Sequence, residues 1–167
     1  MLQNIFKAAL RAPDHALLRP WRFLTIRGQA RNALGELFAE AQRQDDPAIS
    51  DVLLDKTRSK PLRAPLIVVV IARISEHPKV PPVEQMASAS AAAENMMLAA
   101  FAQGVGAMWR TGDMAYHPLV RKGLGLDDNE QVVGFLYLGQ SEGRARTLTP
   151  LSVNEFVVDW PGGPSRS

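Results

Sequence analysis

Two short segments, 11–23 (RAPDHALLRPWRF) and 104–112 (GVGAMWRTG), concentrate the side chains of this sequence that could hold a ligand. Each sets an arginine and a tryptophan beside chain-turning proline or glycine. A guanidinium fork donates in one plane to a phosphate or ring carbonyl, and an imidazole donates from either nitrogen. Arg11 falls at the expected end of a helix and His15 four residues on, in a turn, so both can point out of the fold towards one ligand. In the second segment Gly104 and Gly106 let the backbone run close to a partner. Trp109, Arg110 and Thr111 then place an aromatic plane, a cation and a hydroxyl in succession at a strand's end. Together the segments point to a large, flat, anionic ligand, with a flavin in first place. Plainer roles also fit the same residues. Arg11 can complement a helix dipole, His15 can bond within its own loop, the glycines can stop a helix, and Trp109 can be buried. Trp21 and Phe23, two apart, read as packing that leaves Arg19 and Arg22 outside it.

Other chemistries find little support. The chain has no cysteine, which excludes disulfides, thiolate catalysis and Cys-ligated metal. His15, His77 and His117 fall in expected loops with no i, i+4 pair, so no metal site is expected. Ser88 and Ser90 lack a nucleophile elbow, and Asp127-Asp128 reads as a solvated turn. Gly104-Val105-Gly106 follows a helix and precedes a strand, the reverse of a dinucleotide-binding turn. No residue stands out as a catalytic acid, base or nucleophile.

The elements that must position these residues follow from spacing. With 167 residues, 46% of them hydrophobic, the chain suits one domain with a real core. Its net charge is +2 although the pI is about 9.2, and the basic residues are scattered, so nucleic acid is not indicated. The opening MLQNIFKAALRAPDH lacks the order of a signal peptide, which makes a reducing cytoplasm the expected compartment. Leu2 to Leu10 carries a helical apolar face that Pro13 ends, and Trp21 to Ile26 alternates like a half-buried strand. Ala33 to Ala41 has helical spacing. A further helix is expected from Pro47 to Arg58, capped by Asp45 and Asp46. Pro65 to Ile71 (PLIVVVI) reads as a central strand covered on both faces. After a proline-punctuated loop, Val83 to Gln103 predicts a long helix stopped by Gly104. Its segment Met86 to Ala102 contains Glu94 and Asn95, which argues for a buried helix and against a membrane span. Val105 to Trp109 and Gln131 to Leu138 read as strands, with a short helix from His117 to Gly123 between them. The tail, with Pro150, Pro161, Gly162, Gly163 and Pro164, cannot end in a helix. An α+β layered domain follows, its Ala-rich helix sandwiched and suited to contact with a second subunit.

The chain resembles the nitroreductase family of FMN-dependent oxidoreductases, in particular its small NAD(P)H nitroreductase branch. Ala12-Pro13-Asp14-His15 and Arg19-Pro20-Trp21-Arg22-Phe23 are similar to the family's APS-like loop and Q-P-W-x-F strand, with Arg19 where relatives commonly have glutamine. Ala93 to Ala100 is similar to its N-M-x-L-A-A helix, and Gln103 to Gly106, Trp109 to Gly112 and Val133 to Gly139 follow in register. The resemblance implies a single domain over 1–167, a three-layer α/β/α sandwich around a mixed, mainly antiparallel sheet. It also implies an intertwined homodimer with FMN at the subunit interface. The C-terminal tail, 141–167, would extend over the partner, with Phe156 to Trp160 adding an edge strand. Arg11 and His15 would contact the flavin or its ribityl-phosphate arm, and Trp109, Arg110 and Thr111 would hold it. NAD(P)H, the co-substrate, would pass near Ala99, Ala100, Phe101, Ala102, Gln103 and Gly104. The implied activity is hydride transfer from NAD(P)H through FMN to nitroaromatic or quinone-type acceptors, with no nucleic-acid or membrane partner. The alternative is a degenerate dimer that keeps the fold without holding flavin. Family members usually begin with an R-R-S-x-R segment that grips the FMN phosphate. A helical pattern already running at Leu2 without an N-cap leads us to expect that segment upstream of Met1.

Overall fold

The β-branched run identified as a central strand pairs on both of its edges. In the computed structural model, which describes residues 1–142, 147–160 and 162, it forms β2 (Leu66–Arg73). β1 (Trp21–Arg27) lies on one side of it and β4 (Glu130–Gly139) on the other. β3 (Gly106–Arg110) closes the order β1-β2-β4-β3, with every pairing antiparallel. The helices are α1 (Leu2–Ala9), α2 (Ala30–Asp45), α3 (Asp51–Ser59), α4 (Pro82–Phe101) and α5 (Pro118–Gly123).

Period-two alternation divides the sheet's residues between two layers. Val68, Val70 and Ala72 face α1 and α4, joined by Leu136 and Leu138, whereas Ile67, Val69 and Ile71 face α2 and α5 with Phe135 and Tyr137. The result is the expected three layers, helices covering both sheet faces. α4 can lie close against α1 and the sheet because alanines at 89, 92, 93 and 100 occupy its buried positions. It ends where anticipated: Gly104 adopts the left-handed conformation (φ 72°) and Val105 N–H bonds back to the Ala100 carbonyl at 2.9 Å. Among the described residues no helix is long and apolar enough to cross a membrane.

One boundary departs from the sequence reading. Asp45 is the last residue of α2 and Asp46 its C-cap, so these carboxylates do not open the next helix. The Asp46 carboxylate instead accepts from Ala48 N–H at 3.0 Å, a local turn that carries the chain through Pro47, and α3 begins only at Asp51 after Ser50. In the tail, a 3₁₀ turn covers Val153–Glu155. Pro161, Gly163 and Pro164, read as helix breakers, lie outside the described residues.

Two packing devices stabilise the sheet. Pairing of β2 with β4 slips by one residue, from Val70↔Gly134 to Ile71↔Val132, leaving Val133 as a bulge. Beside it, Gly134 makes room for the indole of Trp109: a Cβ at 134 would lie within 3.0 Å of three of its ring atoms. The second device is a buried carboxylate. Glu130, wholly inaccessible, accepts from Arg22 Nε and Nη2 at 2.7 and 2.5 Å, from Arg73 Nε at 3.2 Å and from Asp127 N–H at 3.1 Å. β1, β2 and β4 are thereby tied together at one end. Hydrogen bonding from Arg22 outweighs the opposing effect of burial and holds the Glu130 carboxyl down at about 2.

Three expectations follow. Glu130 binds its proton less tightly folded than unfolded, so its stabilisation is complete above about pH 4.5 and drains away as pH falls towards 2. Urea midpoints of wild type should fall across that window more steeply than those of Glu130→Gln, and identical acid limbs would contradict the assignment. Arg22→Met, which strands the buried carboxylate with weaker partners, should cost about 3 kcal/mol at neutral pH. Separately, Gly134→Ala should displace the Trp109 indole and alter near-UV circular dichroism, while far-UV spectra stay close to wild type; an unchanged near-UV spectrum would contradict the close approach.

Candidate functional site

Among the described residues β3 is an edge strand bonded to β4 alone, so one side of its backbone has no sheet partner among them. At its outer end a cavity of about 680 Å³ opens between β3, the C-terminal part of α2 and the turn 60–63. That volume lies within the ~300–1,000 Å³ typical of small-molecule sites. Phe38 and Phe135, in edge-to-face contact at 5.4 Å, join Tyr137 as its aromatic wall. Lys60, Arg63 and Arg110 bring positive charge, Thr111 a hydroxyl, and Asp45, Asp46 and Asp113 carboxylates.

Trp109, Arg110 and Thr111 therefore all line this cavity, as their succession at a strand's end suggested. They do not present themselves alike. Alternation turns the Trp109 side chain to the α4 layer, where it packs half-buried across Gly134, while Arg110 projects towards Phe135 and Tyr137 on the opposite layer. The indole is thus partly a packing residue, and of these three it is Arg110 and Thr111 that bring exposed polar side chains to the cavity. Gly112 (φ 75°) then turns the chain into a short 3₁₀ segment, Asp113–Ala115.

Arg11 and His15 lie elsewhere on the same chain. Arg11 follows the end of α1 and is exposed, and His15 opens a 3₁₀ turn, His15–Leu17. The Asp14 carboxylate shapes that turn by accepting from Leu18 N–H at 3.1 Å and Arg19 N–H at 2.7 Å. It holds a loop in which Ala16, Leu17 and Arg19 all take positive φ. His15 Nδ1 meets the Glu84 carboxylate of α4 at 2.8 Å, so the histidine is bonded across the fold, not within its own loop. Among the described residues, three cavities bordered by Trp109 or Arg110 lie along β3, and these three do not include Arg11 or His15. One chain does not bring the two segments together.

Ala99 to Gly104 form the last turn of α4 and its stop. Phe101 projects into solvent at 83% exposure, and Gln103 Nε2 bonds back to the Ala99 carbonyl at 2.8 Å. Gln103 and Gly104 border a separate, mainly apolar cavity with Leu2, Ile5 and Leu138. Among the described residues no group of three or more histidines and carboxylates could hold a metal.

Sequence reading passed over Lys60, Arg63 and Tyr137. Tyr137 sat within an apolar strand run, where only the alternation QVVGFLYL could have marked the face it takes. Arg63 immediately precedes Ala64-Pro65 at the mouth of β2, a position that pattern alone does not connect to Arg110, 47 residues later.

Comparison with known proteins agrees with this architecture. A model of the nitroreductase family matches residues 1–140. YdjA of Escherichia coli (strain K12), named for NAD(P)H nitroreductase activity, is 45% identical over 149 residues, 87% of this chain and 79% of its own length. The solved structure of a nitroreductase-like family protein from Bacillus cereus superposes with a TM-score of 0.77 at 25% identity, covering 96% of this chain and 84% of that one. An FMN-bound nitroreductase from Bacteroides fragilis NCTC 9343 superposes with a TM-score of 0.68 at 24% identity, covering 95% and 86%. Motif order, layered fold and sequence kinship converge: the chain belongs to the nitroreductase family.

Proposed function

We propose that this chain, as a single domain, is one half of a homodimeric FMN-dependent oxidoreductase that takes reducing equivalents from NAD(P)H and passes them to nitroaromatic or quinone-type acceptors. The observation that carries the reading is the cavity at the free end of β3, where Arg110 and Thr111 stand beside an aromatic wall in a space of about 680 Å³. Its shape and donors suit a flat heteroaromatic ring with carbonyl acceptors. The Bacteroides fragilis relative binds FMN, and the Escherichia coli relative is named for NAD(P)H.

Dimerisation is supported by what the chain leaves uncovered. Leu148, Leu151, Phe156, Val158 and Trp160 in the tail, with Leu98 and Phe101 on α4, are large apolar side chains exposed by more than half. Apolar surface on this scale marks an interaction face. A second copy would cover it and would also resolve the separation of the two segments. In that arrangement Trp109, Arg110 and Thr111 of one protomer hold the ring, and Arg11 and His15 of the other reach it from across the interface. FMN, when bound, supplies the two-electron relay between nicotinamide and acceptor. The protein's part is to bind and orient. Arg110 sets a permanent positive charge beside the ring, Thr111 offers a hydroxyl, and the last turn of α4, Ala99 to Gly104 with its exposed Phe101, borders the approach of the nicotinamide. No protein acid or base is needed for such a transfer, consistent with the lack of a catalytic triad in the sequence.

The shared site has a quantitative signature. His15→Ala and Arg110→Ala should each weaken FMN binding by roughly tenfold or more, the loss of one good hydrogen bond. Mixing the two variants by joint unfolding and refolding makes heterodimers in which one site carries both substitutions and the other neither, so about a quarter of all sites recover wild-type affinity. Flavin titration of the mixture should show that tight class. A mixture that behaves as the average of its parents would mean that each chain holds its flavin unaided.

A further inference from the structure

Two contacts pin the segment that carries Arg11 and His15 to one face of α4. His15 Nδ1 meets the Glu84 carboxylate at 2.8 Å, and Asn95 Nδ2 donates at 3.1 Å to the Ala8 carbonyl, which also accepts from Arg11 N–H at 3.0 Å. Glu84 and Asn95 are eleven residues apart on α4, about three helical turns or roughly 16 Å, so they project from the same side of the helix. α4 grips the segment at both ends, with Arg11 between the grips.

The contact with Glu84 differs in kind from those of the other two histidines. His77 and His117 each turn Nδ1 to a backbone N–H two residues on, that of Lys79 at 3.2 Å and that of Leu119 at 3.1 Å, so there the nitrogen is an acceptor that closes a local turn. His15 turns Nδ1 to a carboxylate 69 residues away, and a carboxylate only accepts. Its Nδ1 must therefore hold the proton. That fixes the tautomer: in the neutral ring Nε2 is left as an acceptor, and among the described residues it has no hydrogen-bond partner.

Stability does not account for this pair. Both side chains are about half exposed, where ion pairs contribute little. Glu84 also stands in the first turn of α4, where a carboxylate complements the helix dipole, but that role requires no histidine. What the contact does control is which imidazole nitrogen is left free.

We infer that Glu84 is a positioning residue, which holds Nδ1 of His15 so that Nε2 is offered to the ligand as a hydrogen-bond acceptor. The inference rests on the reading that His15 reaches a flavin, and it adds which part of the flavin is met. A neutral imidazole locked in this way has no proton to give at Nε2, so its partner is a donor, a ribityl hydroxyl or the ring N3–H, and not the phosphate. Glu84 acts only through His15.

Two measurements test this at alkaline pH, where imidazole is neutral. The first needs no flavin. In protein labelled with nitrogen-15 at histidine, the ring resonances should show His15 as the Nδ1–H tautomer in wild type, and Glu84→Ala should release it to a mixture. The same tautomer state in both proteins would overturn the inference. The second measurement is flavin affinity. Glu84→Ala should weaken FMN binding about fivefold, the size of one net hydrogen bond, and Glu84→Gln, whose amide oxygen still accepts, should lose less. Riboflavin, which lacks the phosphate, should weaken by the same factor as FMN. In a His15→Ala background Glu84→Ala should cost nothing further, because the two residues act as one unit. Equal affinities of wild type and Glu84→Ala, a loss confined to FMN, or the same loss with and without His15 would each contradict the positioning role while leaving a flavoenzyme intact. A protein that binds neither flavin, yet whose His15 tautomer is released by Glu84→Ala, would sink the oxidoreductase reading and leave the lock itself standing.

Discussion

Covering a sheet on both faces is the constraint from which the rest of this structure follows. β2 and β4 bury nearly every side chain, those on one layer beneath α1 and α4 and those on the other beneath α2 and α5. Buried strands must pair their backbone groups with one another, so backbone is left over only along the outer strands. β3 is one of those, short and bonded on one side. The cavities that carry converging polar groups gather along it because that is where the fold has both an unfilled ladder and side chains on either layer. What tethers the sheet at its far corner is a single carboxylate, Glu130, whose two arginine partners come from β1 and β2.

Much of this was legible in the sequence because it is local. A β-branched run announces a two-sided strand, period-two alternation announced β1, and the alanine-rich stretch before Gly104 announced the central helix and its stop. The family motifs extended that reading to the whole architecture. What escaped depends on distance along the chain. Arg22 looked like a solvent-facing neighbour of packed aromatics, and nothing near it indicates that its partner lies 108 residues away at Glu130. Asp45 and Asp46 resemble an N-cap before Pro47, yet α2 runs on through them and uses their position as its end. The site was half legible. The residue types at 109–111 singled out the right strand end, but which layer each side chain takes is decided by pairing register and by the gap that Gly134 leaves for an indole. Arg63 and Tyr137 came into view only when the sheet placed them beside Arg110.

A division of labour emerges between rigid and adaptable parts. Pairing with β4 and the gap at Gly134 beside the bulge at Val133 hold the strand end that would face the ring. The loop from Asp14 to Arg19, forced into left-handed conformations and clamped by one carboxylate, holds the other half of the proposed site. Strain of this kind, about 1–3 kcal/mol per residue, persists where the surroundings over-determine it and is often found at ligand clamps. The exposed apolar tail and the outer face of α4 supply the surface through which two copies would bring these halves together.

The central claim is that two copies of this polypeptide jointly enclose the flavin. Native mass spectrometry of the purified protein, from an open reading frame that includes any upstream segment and saturated with FMN, addresses it most directly. The account predicts a species of two chains and two FMN molecules, with no flavin retained by single chains at the same concentration. A single chain carrying one FMN, or a dimer that carries none, would contradict it.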